Sequence, residues 1–387
     1  MNIKGTKALI TDVERRKALP IIRALGEKGV TVIGVSYYKM PLGAFSKYCN
    51  NVYRTCDYLL NPEQYLKELE NILLIEKPDT FFPIEDEVIS LILSNKSRFE
   101  KYTNFILPEY ENFNNAYDKW NAICRARCEG ISVPVTYLPA SADDVEEIIK
   151  NSPDKKYVIK PRKSSGSRGI AFVDNAADLK RRYLEVKAKY DSPLIQEMIP
   201  REGKGYGVSM LFDRDMELRA LFGHRRIREY PVGGGPSTLR ASYYEKELMD
   251  KSVNLARKMK LAGVSMIEYK EDLITGEKVF MEINPRFWGS LQLAIFSGVN
   301  FPLIYHLLAL GEKPEPVLNY ETELLCRWLL PGDILNFLKS KDRFKLEPSF
   351  FDFFNKKQSY DIISSSDPLP AVGIILEGLR KIFYGNK

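Results

Sequence analysis

Histidine is nearly missing from this sequence, with only His224 and His306 in 387 residues, and they stand far apart. The five cysteines, Cys49, Cys56, Cys124, Cys128 and Cys326, are odd in number and spread out. Together these facts argue against a zinc cluster or a disulfide framework and for reduced thiols. No stretch approaches the ~20 apolar residues of a spanning helix. The opening MNIKGTKALITD has no apolar leader core, so a soluble, cytoplasmic protein without integral membrane contact is expected. An excess of one charge is also lacking. The 57 basic and 51 acidic residues leave +6, too little over this length to imply nucleic acid, though enough to suit an anionic small ligand. Two glycine fingerprints are absent. TDVERRKAL follows the first apolar strand where a dinucleotide fold needs G-x-G-x-x-G, and no G-K-[ST] makes a P-loop. No serine, cysteine or zinc constellation offers covalent or metal-hydroxide chemistry.

What is present is ordinary globular composition, 44% hydrophobic and 28% charged, in a chain long enough for two or three lobes around a cleft. The N-terminal part alternates strands (8–11, 31–36, 80–84) with helical patterns, which predicts a small parallel sheet covered on both faces. Pro83-Ile-Glu-Asp-Glu87 closes the third strand at the sheet's carboxyl edge. Its acids could meet an amine, and solvated helix-start residues are the blander reading. A helical stretch over 112–134 ends at Gly130 and Pro134. Strands then flank a loop at 157–160 and 169–173, and further strands (195–199, 207–212, 217–223, 265–269, 278–283) surround a helix over 245–260, giving a largely antiparallel α+β half. Residues 364–370 read as a loop, and a basic helix near 374–383 closes the chain, capping a core rather than meeting a membrane.

Two segments carry chemistry. The loop Lys160-Pro-Arg-Lys-Ser-Ser-Gly-Ser-Arg-Gly169 gathers cations, hydroxyls and glycines, the composition that lets backbone amides and lysines approach phosphate. In Phe280-Met-Glu-Ile-Asn-Pro-Arg286, strand alternation projects Glu282 and Asn284 to one side. Glu268, on the preceding strand, is brought alongside by a hairpin through DLITGEK. Two carboxylates and an amide suit Mg²⁺, and Arg286 adds a fixed guanidinium fork for phosphate or carboxylate. In GHRRIREYPVGGGPS, alternation puts Arg226 and Arg228 on one face, making them candidates for an acyl phosphate or substrate carboxylate. Arg240 is a weaker one. His224 reads as a packed or surface histidine rather than a base, and Phe287 and Trp288 as packing groups.

The run MEINPRFWGSLQLAIFSGVNFP, with the landmarks before it, resembles the ATP-grasp superfamily from Asp118 to Leu310. Within it the chain is similar to the carboxylate-amine ligase branch related to the carbamoyl-phosphate synthase large subunit. The resemblance implies an α/β plus α+β fold: an N-terminal α/β domain (1–112), a central lobe with a glycine-rich flap (113–194), a C-terminal lobe with the metal site (195–330) and an extension (331–387). It implies that ATP with Mg²⁺ or Mn²⁺ is bound by Lys119 of the Asp-Lys motif, Lys160, the flap from Ser164 through Ser165 and Gly166 to Gly169, and the hinge Gln196-Glu197-Met198-Ile199. Glu268, Glu282 and Asn284 fall on metal ligands, and Arg286 on a catalytic arginine. Where relatives place an acid for the ribose this chain reads REGKGYGVS, with Glu202 as the substitute. The implied activity is ligation of a carboxylate to an amine or thiol through an acyl phosphate, releasing ADP and phosphate. Small-molecule substrates and a homodimer are the expected partners. A non-catalytic nucleotide binder of the same fold is the alternative. A biotin-dependent carboxylase is a weaker third reading, because no Ala-Met-Lys-Met carrier sequence is present.

Overall fold

The computed structural model describes residues 3–166 and 168–384. Strand–helix alternation at the N-terminus builds a parallel sheet from β1 (Lys7–Ile10), β2 (Thr31–Ser36), β3 (Cys49–Arg54) and β4 (Thr80–Phe82), in the order β3-β2-β1-β4. The three strands read from sequence are apolar and buried. β3, with the sequence CNNVYR, is a half-exposed edge whose polar composition hides it. The helical stretch expected over 112–134 is two helices, Tyr110–Tyr117 and Lys119–Cys128, broken at Asp118. There Asp118 has extended backbone and caps the second helix by accepting from the amides of Trp120 and Asn121.

A second, antiparallel sheet contains β5 (Thr136–Tyr137), β6 (Tyr157–Lys160), β7 (Ala171–Val173) and β8 (Leu194–Glu197), in the order β5-β8-β6-β7. The helix Ala142–Asn151, opened by a Ser141/Asp144 capping box, and the helix Leu179–Lys187 cover one face. This small lobe has its own core of Val145, Tyr157, Ile159, Leu179, Tyr183 and Ile195.

The third sheet has seven strands: β9 (Gly205–Phe212), β10 (Leu218–Glu229), β11 (Ser237–Ser242), β12 (Gly263–Glu271), β13 (Lys278–Asn284), β14 (Leu325–Arg327) and β15 (Gln358–Tyr360). They run β13-β12-β9-β10-β11-β14-β15, antiparallel except for the last pair. One core joins this sheet to the N-terminal one. Ile10, Ile21 and Phe82 pack with Leu211, Phe222, Met266, Trp288 and Leu291. Inside it His306 lies between the hydroxyls of Thr6 and Thr80, at 2.9 and 2.7 Å. Residues beyond β14 turn back to the N-terminal lobe, where Asp367 accepts from Arg23, Ser46 and the Lys47 amide. Among the described residues no helix is long and apolar enough to cross a membrane.

Candidate active site between the lobes

A cleft of about 300 Å³ separates the small lobe from the seven-stranded sheet. Val158, Ile170, Phe172, Met198, Ile199 and Met281 give it an apolar slot. Gln196 to Ile199 form its rim. The side chain of Gln196 donates to Thr136 at 2.9 Å, and Glu197 pairs with Lys155 at 2.9 Å. The amides of Glu197 and Met198 already donate to the carbonyls of Val135 and Lys156, which leaves a base edge to the segment's other backbone groups. Glu202 is exposed and does not line this cleft. It borders a neighbouring hollow with Lys204 and Asn336.

Strand register builds the polar floor. Glu268 lies opposite Glu282 across β12 and β13, and Asn284 is two residues further on. The Asn284 amide donates to Glu268 at 3.2 Å and to Glu282 at 3.5 Å, so three oxygen-bearing side chains converge. Lys119 Nζ stands 3.5 Å from Glu282 and donates to the Ser164 carbonyl at 2.6 Å. Lys160, at the end of β6, lines the same floor. Burial alone would raise the Glu282 pKa, but Lys119, Lys160, Arg286 and Arg226 outweigh it and hold the carboxyl below its ordinary value. Glu268 goes the other way, pushed up by burial against the pull of Arg226. Burial brings Lys160 down to about 8.

Arg286 is buried and pinned. Its Nε donates to Asp86 at 2.6 Å, Nη2 to Asn284 at 2.7 Å and Nη1 to the Phe287 carbonyl at 2.9 Å. Two of its five hydrogens remain for a ligand. Burial works against its charge, but Asp86 and Glu85 more than compensate and raise its pKa. Asp86 and Glu87 do open a helix, Asp86–Ser94, but Glu85 and Asp86 are buried and ion-paired rather than solvated. Asp86 is 1% exposed, and Glu85 pairs with Lys17 at 3.0 Å. Burial opposes ionisation of Glu85, yet Lys17, Arg286 and Arg15 bring it down to about 2.

The glycine loop is tied at both ends. Asp118 holds Arg162 at 2.7 Å, and Arg168 reaches Glu87 of the N-terminal lobe at 2.6 Å. Ser164 and Ser165 are buried. Gly166 and Gly169 have φ of +63° and +75°, and a Cβ on Gly169 would lie 2.5 Å from the Tyr190 ring. Ser167 of this flap lies outside the described residues.

The shared face expected for Arg226 and Arg228 does not form. β10 bulges between them, since Arg226 opposes Arg240 while Arg228 opposes Leu239, so one extra residue breaks the alternation. Arg226 lies over Gly205 in the cleft and pairs with Glu268. Arg228 instead sets a two-bond fork on buried Asp333, both bonds 2.8 Å, and donates to the Pro348 carbonyl. Arg240 is also committed, to Asp361. His224 lies over Gly207 in the cleft floor, and burial with Arg226 and Arg240 nearby drives its pKa well below the ordinary value. Arg16, Lys270 and the glycines 233–235 of the glycine-rich loop after β10, to which sequence reading assigns no role in the site, also line the cleft. Lys270 was legible by alternation from Glu268, two positions away on β12.

Residues 116–290 match the family model of the ATP-grasp domain. Acetyl-CoA carboxylase 1 of Oryza sativa subsp. japonica is 26% identical over 157 residues, 39% of this chain but only 7% of that protein's length. The biotin carboxylase domain of Hydrogenobacter thermophilus 2-oxoglutarate carboxylase, solved with MgADP, ADP and bicarbonate, superposes with a TM-score of 0.65 at 16% identity, covering 83% of this chain and 73% of that one. N5-carboxyaminoimidazole synthetase from Staphylococcus aureus, solved with ADP, gives 0.65 at 14% identity, covering 84% and 82%.

Proposed function

We propose that this chain, which belongs through residues 116–290 to the ATP-grasp domain family, is an ADP-forming ligase joining a carboxylate to an amine or thiol. The observation that carries this reading is the convergence of Glu268, Glu282 and Asn284 on two paired strands at the mouth of an apolar slot, with Lys119 and Lys160 beside them. An oxygen-only donor set suits a hard divalent cation. Glu268, Glu282 and Asn284 would hold Mg²⁺ or Mn²⁺, which supplies positive charge to phosphate oxygens when bound. The apolar slot suits a purine.

In this scheme Lys119, Lys160 and the loop amides near Gly166 and Gly169 hold the triphosphate. Arg286, fixed by Asp86, offers its remaining hydrogens to the acid substrate. A carboxylate oxygen attacks the γ-phosphorus and the bond to the β–γ bridging oxygen breaks, so ADP leaves with that electron pair. The amine nitrogen then attacks the acyl carbon, the carbon–oxygen bond to phosphate breaks, and the nitrogen's proton passes to the departing phosphate. Flap closure keeps water from the acyl phosphate. A competing reading, nucleotide binding without turnover, draws support from the position of Glu202 outside the cleft.

The test is nucleotide product analysis with Mg²⁺, ATP and pools of carboxylates, bicarbonate included because the carboxylase domain above binds it, against pools of amines. ADP and phosphate formed with a particular pool are expected, with Glu282→Ala lowering kcat by about 10²–10³-fold. AMP and pyrophosphate would overturn the acyl phosphate. ATP binding without turnover in every pool would favour the non-catalytic reading.

A further inference from the structure

The cleft continues past the metal-ligand set. Its wall runs on through Trp288, Gly289 and Ser290, faced by Arg16 from the loop after β1. Gly289 leaves the room that arginine occupies, since a Cβ there would stand 3.0 Å from Arg16 Nη2. The guanidinium stacks over Trp328 at 4.2 Å, and Nη1 bonds to Asp361. The same carboxylate receives both Nη groups of Arg240, which is fully buried. Two guanidinium ions therefore share one carboxylate. The neighbouring Cys326 thiol, pushed by burial up to about 12, adds no negative charge. A net positive charge remains, in a place where unpaired charge is costly.

Hydrogen-bond donors are in surplus at the same end. Among the described residues the indole N–H of Trp288, 0% exposed, has no partner, and neither does Nδ1 of His224, 2% exposed. Both residues line the cleft, and the Ser290 hydroxyl lies 3.3 Å from His224 Nε2; when that hydroxyl donates to Nε2, Nδ1 carries the ring's N–H and faces the ligand as a donor. An oxyanion is what such a set accepts: it supplies charge and several acceptor lone pairs at once.

The geometry points to a second anion subsite, formed by Arg16, Trp288, Ser290 and His224, that takes a carboxylate or phosphate group of the substrate other than the carboxylate being activated. The inference rests on the ligase reading and narrows it, to an acid or an acceptor carrying a further anionic group. Arg16 is a binding residue here, and Asp361 and Trp328 position it.

The test is calorimetric titration of protein saturated with Mg²⁺ and a non-hydrolysable ATP analogue. Succinate, inorganic phosphate and, as a single-carboxylate control, acetate are added separately. Succinate or phosphate is expected to bind roughly tenfold or more tighter than acetate, and which of them binds tells carboxylate from phosphate. Arg16→Gln should abolish that preference with analogue affinity unchanged, and Arg16→Lys should recover part of it. Gly289→Ala, which crowds Arg16 without removing it, should weaken the same anions and serves if Arg16→Gln fails to fold. Unchanged anion affinity in these variants, an equal loss of analogue affinity, or no preference over acetate would overturn the subsite. Repeating the titration without nucleotide separates the two readings. Failure of the wild-type protein to bind the analogue counts against the ligase, while anion binding that depends on Arg16 still reports the subsite.

Discussion

Lys160 shows how far a single side chain can be tuned by its surroundings. Burial brings it to about 8, against the attraction of Glu282. Its positive charge is present below that pH and lost as pH rises through it. If it meets phosphate, kcat/KM for ATP should fall above pH ~8, and Lys160→Arg should move that fall to higher pH because the guanidinium keeps its proton. A pH profile of kcat/KM for both proteins checks this, and identical profiles would remove Lys160 from the phosphate site. The residues of the metal set were legible because two local rules, strand alternation and hairpin pairing, place Glu268, Glu282 and Asn284 together. Arg16 was not legible, because its partner Asp361 lies 345 residues away and no local rule links them.

At the scale of the strand, β9 contributes by what it omits. Gly205 and Gly207 leave space on the cleft face for Arg226 and His224 of β10. A Cβ at Gly207 would stand 2.3 Å from His224 Cε1. Gly207→Ala should therefore cost about 1–3 kcal/mol of stability, as overpacking does, and displace His224 toward the ligand. Urea unfolding gives the first effect, and a larger change in substrate KM than in ATP KM gives the second. β11 explains why part of the sheet escaped sequence reading. Ser237-Thr-Leu-Arg-Ala-Ser242 is buried throughout, yet it has no apolar alternation, since its polar groups find partners inside: Thr238 on Asp333 and Arg240 on Asp361. The bulge in β10 was hidden for a similar reason, as nothing local in RRIRE marks the extra residue.

At the scale of the molecule, the N-terminal lobe and the seven-stranded sheet share one core, whereas the flap lobe has its own. Closure is thus expected to move the flap lobe against a rigid remainder. The returning segment after β14 fastens that remainder. Asp367→Ala would leave Arg23 buried without its carboxylate and should cost about 3–5 kcal/mol, read as a lower denaturant midpoint. The N-terminal sheet was readable from its alternating pattern. The fastening was not, because it joins distant stretches of chain whose sequences carry no sign of each other. This wiring also has a consequence for biosynthesis. Arg16 leaves the ribosome some 345 residues before Asp361, roughly 20–70 s earlier at ordinary elongation rates. The last residue lining the cleft, Ser290, is made about 70 residues before Asp361, so for roughly 4–14 s the cleft's residues are all present while its far wall lacks this counter-charge. A chain ended before Asp361 is expected to leave Arg16 and Arg240 without the carboxylate they share.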